Sequence, residues 1–351
     1  MYYPKLNSLR AIAIILVLIE HFAYAIGSHF SAGYYGVDLF FVLSGFLITN
    51  ILLKKNDNTN FKNWVNFIGR RALRIFPIYY LTILVLLIFD YQPLKQELLY
   101  VATYTYNYAW EYFELPLSNI SHFWSLAVEE QFYLVWPIIV LSFLKFKRVL
   151  LIIMVFVYVV CSLQLCFNIF ENLALFNSVG LFPQANSLAL GGLGSLLLKH
   201  RLIPKYILYN KGLEYLLYFL LFYALIFAGT EKLLICPIIS LIFILKITED
   251  SVKVNLFNKI LSSSKLMFIG SISYGIYVYH LPLEHYVTTF VFDPYFWQLI
   301  PFDKLGSLSV LQYHSWAIKL PLYSILSIGI AHISFSYIEK PILGLKDKYF
   351  K

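Results

Sequence analysis

Stretches of Ile, Leu, Val, Phe and Tyr about twenty residues long recur along the chain, separated by short clusters of Lys, Arg, Asn, Gly and Pro. A run of that length with few charges crosses the roughly 30 Å hydrocarbon layer of a bilayer as one helix. The pattern predicts spans near 8–28, 35–53, 75–90, 126–144, 149–168, 183–198, 212–228, 232–246, 266–289 and 315–338. The expected fold is all-α, a polytopic transmembrane helical bundle of about ten helices. What remains makes only short loops, so residues 1–351 are expected to form one integral-membrane domain.

Composition excludes the alternatives. Of 351 residues, 60% are hydrophobic, 19% aromatic and only 13% charged, and a mean hydropathy of +0.71 describes no soluble or disordered chain. The net charge of +8 is spread over several short loops and is not interleaved with stacking aromatics on one face, so no nucleic-acid partner is expected. Topology accounts for it. With the N-terminus inside, 23 of the 27 Lys and Arg fall in inner segments, and only Lys95, Lys232, Lys304 and Lys319 fall in outer ones. That bias puts both termini in the cytoplasm. Ala23-Tyr24-Ala25 mimics a signal-cleavage site, but the run before it ends in Glu20-His21, and its loss would spoil the charge pattern. Cys161, Cys166 and Cys236 stand singly in apolar runs, without CxxC spacing, and read as small core residues; no metal site is expected.

Ionisable side chains inside hydrocarbon cost a few kcal/mol each, so each is a functional candidate. Arg10 and His21 are eleven residues apart, about 16 Å of helical rise with the side chains roughly 20° out of line, so they share one stripe. The first two spans form a hairpin turning near 29–34, which brings His21 and Asp38 to similar depth as candidate partners; a general base needs a group on its other nitrogen to fix its tautomer. Asp38 also reads as a cap of its own helix, and Ser44-Gly45 as a close-packing site. The fourth span opens with His122, Trp124 and Ser125 and carries Glu129-Glu130, adjacent carboxylates that point about 100° apart. The ninth span brings Tyr274 and His280 to the same depth.

On the inner side Arg70, Arg71 and Arg74 have i,i+3 and i,i+4 spacings that can close guanidinium groups around one anion, a phosphate in particular. Positive-inside charge or contact with anionic lipid is the plainer reading. Glu339 ends the last span on that side as a candidate partner of the arginines. Between 90 and 122, Tyr104, Tyr106, Tyr108, Trp110 and Tyr112 alternate along the longest stretch outside the spans, as an interfacial aromatic belt or a sugar-stacking surface.

An inner arginine cluster, a stripe from Arg10 to His21, and His, Asp and Glu beyond the midplane describe a site with two mouths. A long anionic donor fits it. Acyl-coenzyme A has phosphates for the arginines and a thin arm that carries a thioester into the bilayer, where His21 takes the proton of an acceptor hydroxyl.

The same residues resemble the membrane-bound acyltransferase type 3 family. The likeness runs through Leu9-Arg10 with His21, Gly36-Val37-Asp38 with Ser44-Gly45-Phe46, and Arg70-Arg71 with Arg74, Pro77 and Tyr79-Tyr80. It continues through His122-Phe123-Trp124-Ser125 with Glu129-Glu130-Gln131, Ser273-Tyr274 with His280, and Ile338-Glu339-Lys340-Pro341, in order from end to end. The resemblance implies a ten-helix enzyme that moves acyl groups, often acetyl from acetyl-coenzyme A, onto surface polysaccharides, peptidoglycan, lipid-linked glycans or small metabolites. It also implies functional positions at Arg10, His21, Arg71 and Arg74, and a bacterial inner-membrane location. Two departures stand out. Pro183-Gln184 and Asn186 replace a common Pro-Arg-x-Asp, and with little sequence after the last span a stand-alone form without a hydrolase-like extracellular domain is expected.

The sequence therefore predicts a membrane O-acyltransferase with acyl-coenzyme A as co-substrate, no tightly bound cofactor, and membrane lipid and a carbohydrate acceptor as partners. Arg10, Arg70, Arg71 and Arg74 are the donor-binding candidates, and His21 is the base. One of Asp38, Glu129 and Glu130 orients it, and His122, Trp124, Ser125, Tyr274 and His280 are acceptor-side candidates, with Tyr274 or His280 as a donor to the intermediate. The rivals are a transporter or flippase, which favours repeats and broken helices not visible in the sequence, and a polysaccharide-export partner.

Overall fold

The computed structural model describes residues 3–54, 59–167, 169, 179–204, 210–226, 232–248, 256–296 and 315–350. Lys304, and the ends of two predicted spans at Asn168 and residues 227–228, lie outside the described residues. Those described fold as helices without strands.

α1 (Lys5–Phe22) stops at Ala23, whose backbone leaves the helical region at φ −127°, ψ 50°. α2 (Tyr24–Gly27) and a 3₁₀ turn at Ser28–Phe30 reverse the chain into α3 (Ala32–Leu52), which packs back along α1, so the expected hairpin forms. α4 (Asn60–Ile88) opens with Thr59, whose side chain accepts from the Lys62 N–H. At 29 residues α4 is about 43 Å long, more than a hydrocarbon layer needs. Arg70 to Arg74 consequently sit near the middle of one continuous helix instead of ahead of a span beginning at 75.

α5 (Gln92–Ala102) and α6 (Tyr106–Tyr112) occupy the stretch expected to be an aromatic surface. Tyr104 and Tyr106 are buried, and Tyr104 stacks on Tyr79 of α4 at 4.3 Å; of the five alternating aromatics only Tyr112 is exposed. The belt reading is therefore replaced by packing of the two short helices onto the bundle.

α7 (Phe123–Ser142), α8 (Lys147–Phe167), α9 (Leu181–Lys199), α10 (Lys211–Ile226), α11 (Lys232–Thr248) and the short α12 (Leu256–Leu261) follow. α13 (Ser264–Ser271) and α14 (Ser273–Val287) then meet at a bend of 67°. The expectation of unbroken spans fails here. Ser271 and Ser273 turn their hydroxyls onto the carbonyls of Phe268 (2.6 Å) and Gly270 (3.0 Å), which competes with helix continuation. α15 (Trp316–Ser334) passes through a π-helical turn at Phe335–Glu339 into α16 (Lys340–Leu343), and α17 (Lys346–Tyr349) follows.

Among the described residues six helices are long and apolar enough to cross a membrane, α3, α4, α7, α8, α9 and α15 with its extension, and the bent pair α13–α14 makes a seventh. The other predicted spans are also helices, but α10 has 16 residues, α11 has 17, and α1 carries Lys5, Arg10 and Glu20.

α3 is the central element, packed against α1, α9, α7 and α11. Close backbone approach holds it there, as expected where lipid tails give helices no hydrophobic reason to associate. A Cβ at Gly45 would lie 1.8 Å from the Leu188 carbonyl oxygen of α9, and one at Gly270 would lie 1.7 Å from the Asn7 carbonyl oxygen of α1. The second contact seats the α13–α14 bend on α1 and so aims Ser273 and Tyr274 into the bundle.

Candidate functional site

Two connected spaces open beside that bend. The wider, about 670 Å³, lies among the N-terminal half of α4, the start of α1, the end of α3 and the C-terminal residues. Its described lining includes Arg10, Lys54, Arg70, Arg71, Arg74 and Lys346 and no acidic residue. Its size is that of ordinary ligand sites. The narrower, about 80 Å³, continues into the bundle between α3, α4, α7 and α14. Arg10, Arg71 and Arg74 line both and stand at the junction.

The junction is built from fixed side chains. Arg10 donates to the Asn7 side-chain oxygen at 3.1 Å, one turn earlier on α1. The Arg71 guanidinium lies over the rings of Tyr133 (5.2 Å) and Phe67 (5.6 Å), which fix its plane while leaving donors for a ligand. Arg70 behaves otherwise. It is exposed, and its Nε and Nη2 donate to the Phe350 carbonyl oxygen at 2.9 and 2.6 Å. Arg70 thus shares the wide space with Arg71 and Arg74, but of the three only Arg71 and Arg74 reach the junction, where Arg10 from α1 joins them.

Beyond the arginines, Glu129 lines the narrow cavity and accepts a hydrogen bond from the Ser44 hydroxyl, which lies 3.3 Å from the Tyr133 hydroxyl. Glu130 points another way, as adjacent helix positions require. Its Oε1 is buried without a hydrogen-bond partner. Tyr274 lines the cavity and donates to the Ile75 carbonyl at 3.0 Å. Ser125 and Tyr277, whose hydroxyls are 2.6 Å apart, complete its wall.

Behind Tyr277 three histidines meet. His21 Nδ1 and His280 Nε2 are 2.7 Å apart, with the ring centroids 4.9 Å apart and the ring planes 16° from parallel. His280 Nδ1 lies 2.6 Å from the Tyr277 carbonyl oxygen, and the His122 ring meets that of His280 edge-on at 4.8 Å. His122 Nε2 is 3.4 Å from the Val278 carbonyl. Pro282, four residues on, has no N–H to offer that carbonyl, which frees it for a side chain. His21, His122 and His280 are not among the residues lining the cavity; the Tyr277 side chain lines it beside them.

Two expected placements are not found. Asp38 does not meet His21: it is buried between α3 and α9, where it accepts from the Ser187 hydroxyl, and its Oδ2 has no partner. The hairpin forms as expected, but α3 is rotated so that Asp38 faces α9. Glu339, buried in the π-helical turn, lies within electrostatic reach of Arg74, as expected, although its Oε1 has no hydrogen-bond partner. Trp124 packs edge-on to Phe41 at 6.3 Å within the apolar core and does not line the cavity. The Gln184 and Asn186 replacements put no charge beside Asp38; Asn186 instead donates to the Leu233 carbonyl at 3.3 Å and accepts from the Ser187 amide.

Sequence reasoning misses Ser44, Tyr133 and Tyr277 as site residues. It assigns Ser44 to packing, yet the neighbouring Gly45 carries the close contact and Ser44 carries the polar one. Tyr133 lies four residues after Glu129, one helical turn on the same face, a spacing that could have flagged it.

Residues 3–335 match the family profile described as an acyltransferase domain. Over 99% of its length the chain is 30% identical to the peptidoglycan O-acetyltransferase OatA of Listeria monocytogenes, and covers 58% of that protein. Over 97% it is 27% identical to the putative peptidoglycan O-acetyltransferase YrhL of Bacillus subtilis, covering 55% of it. A putative O-acetyltransferase of Staphylococcus aureus, SACOL0978, is 30% identical over 83% of the chain and 52% of its own length. The chain thus spans a little over half the length of the curated relatives it matches. No solved structure matches it.

Proposed function

The chain belongs to the acyltransferase type 3 family, and from that premise we propose that it transfers an acyl group, acetyl foremost, from acyl-coenzyme A to a hydroxyl of a cell-envelope glycan. Peptidoglycan is the first acceptor to test, because two of its relatives carry that name. The proposed setting is the plasma membrane, with both termini and the donor on the cytoplasmic side.

One observation carries the donor side of this reading: Arg10, Arg71 and Arg74 join a wide cation-lined space to a narrow cavity walled by Ser44, Glu129, Tyr133 and Tyr274. Guanidinium groups suit phosphate oxygens because their planar donors make paired, charge-assisted hydrogen bonds. In the proposed arrangement the nucleotide phosphates occupy the wide space, and the pantetheine arm passes the arginines toward the histidines. The acceptor oxygen attacks the thioester carbonyl carbon as its proton passes to His21. The C–S bond then breaks, the acyl group remains on oxygen as an ester, and the departing sulfur takes up the proton. Glu129 holds Arg71 and Arg10 in a field of opposite charge, which offsets the burial of three cations.

The 67° break between α13 and α14 is the one feature that favours a carrier, since broken helices frame many transport sites. Purified protein in liposomes, given acetyl-labelled acetyl-coenzyme A and a glycan acceptor, separates the readings. The enzyme releases free coenzyme A thiol in proportion to ester formed. A carrier moves glycan and leaves the thioester whole.

A further inference from the structure

The three histidines, His122 and His280 buried and His21 half-buried, include a hydrogen-bonded chain whose direction is fixed by its far end. A backbone carbonyl can only accept, so with 2.6 Å between His280 Nδ1 and the Tyr277 oxygen, Nδ1 of His280 carries the proton and donates. No carboxylate is hydrogen-bonded to His21, His122 or His280 among the described residues. An imidazolium at His280 would be a buried cation without a counter-charge bonded to it, so the neutral His280 ring is the stable one. A neutral His280 with its proton on Nδ1 has a bare lone pair on Nε2. That lone pair, 2.7 Å from His21 Nδ1, accepts, and His21 must donate from Nδ1. The neutral His21 ring then has its lone pair on Nε2.

We propose that His280 is the positioning residue that sets the tautomer of His21, holding the His21 lone pair on Nε2 for an acceptor hydroxyl. His280 takes the place that a carboxylate holds beside the histidine of a hydrolase triad. A neutral ring in that place fits a bilayer interior, because the relay carries no net charge until His21 receives a proton. The relay ends on the Tyr277 carbonyl, and His122 and Phe22 make T-shaped contacts with the His280 ring. The inference deepens the proposal that His21 is the base.

The test uses the full chain in nanodiscs with 15N-labelled histidine. The His21 signals are identified by their loss in His21→Gln, and nitrogen chemical shifts report which ring nitrogen bears hydrogen. The expected result is hydrogen on Nδ1 of His21 and on Nδ1 of His280, with His21 losing its single tautomer in His280→Phe. In transfer assays His280→Phe lowers kcat at least about tenfold with the KM for acetyl-coenzyme A unchanged. His280→Gln, whose amide can donate to the carbonyl and accept from His21, recovers most of the rate. Hydrogen on Nε2 of His21 in the wild-type protein would overturn the relay without any need for a folded variant. So would His280→Phe with wild-type kcat. The shift measurement is independent of turnover, so it can fail while His21→Ala still abolishes transfer. Full transfer by His21→Ala would sink the base assignment and leave the hydrogen-bond order to be judged on the spectra.

Discussion

The Ser44 hydroxyl of α3 donates to the Glu129 carboxylate of α7, and this contact fixes the acid at the wall of the narrow cavity. Ser44→Ala leaves Glu129 one donor short, a loss of about 1.5–3 kcal/mol for a bond to a charged group. Transfer is expected to fall about tenfold or more, while Ser44→Thr, which keeps the hydroxyl, retains most activity. Initial rates at matched protein levels check this, and equal rates for Ser44→Ala and wild type would refute the role.

Arg70 and Arg71 are neighbours in sequence and separate in function on this account. Arg70 lines only the wide space and is engaged with the Phe350 carbonyl, whereas Arg71 lines both spaces. Arg71→Ala and Arg74→Ala are each expected to weaken coenzyme A binding about 10- to 100-fold, and Arg70→Ala by less than about threefold. Calorimetry on detergent-purified protein reads the difference; equal losses for Arg70 and Arg71 would restore the simple cluster.

Gly45 tests the packing that positions the site. A methyl group there meets the Leu188 carbonyl, so Gly45→Ala must push α3 from α9. A destabilisation of about 1–3 kcal/mol is expected, visible as a lowered melting temperature in detergent. Gly329 is the control: a Cβ there would have nothing within 4 Å, and its Ala variant should melt with the wild type.

Glu97 lies on α5, outside the spans, buried with Oε2 unpartnered, and burial pushes its carboxyl above the ordinary Glu range. The folded state then binds the proton more tightly than the unfolded one, so this group's contribution to stability declines as pH rises from the unfolded toward the folded value. Glu97→Gln should therefore melt higher than wild type at pH 8, with the gap narrowing at pH 5. A constant gap would contradict the assignment.

What the sequence displayed and what it hid divide along a physical line. Helix positions follow from local hydropathy, and each predicted span falls mainly on helix among the described residues, with breaks at Ala23 and at the α13–α14 bend, because burial of backbone polar groups leaves a membrane chain few other choices. The family likeness, Arg10, Arg71 and Arg74 at one junction, and the nearness of His21 to His122 and His280 were also visible as motif and depth. Partner choice was not. Whether His21 meets Asp38 or His280 depends on the rotation of α3 and on the α13–α14 bend, both set by contacts between residues far apart in sequence, such as Gly270 with Asn7. The bend had a local cause in Ser271 and Ser273, but serines near a helix end are too common to announce a 67° turn.

Esterification of an envelope glycan through His21 leaves a product that can be weighed: mass spectrometry compares envelope and lipid-linked glycans from cells carrying wild-type protein, His21→Ala or no protein, at matched membrane levels. The expected result is an acyl-ester mass increment, that of acetyl foremost, that appears with the wild type alone. An increment of equal size with His21→Ala, or altered glycan export with no ester in any strain, would contradict it.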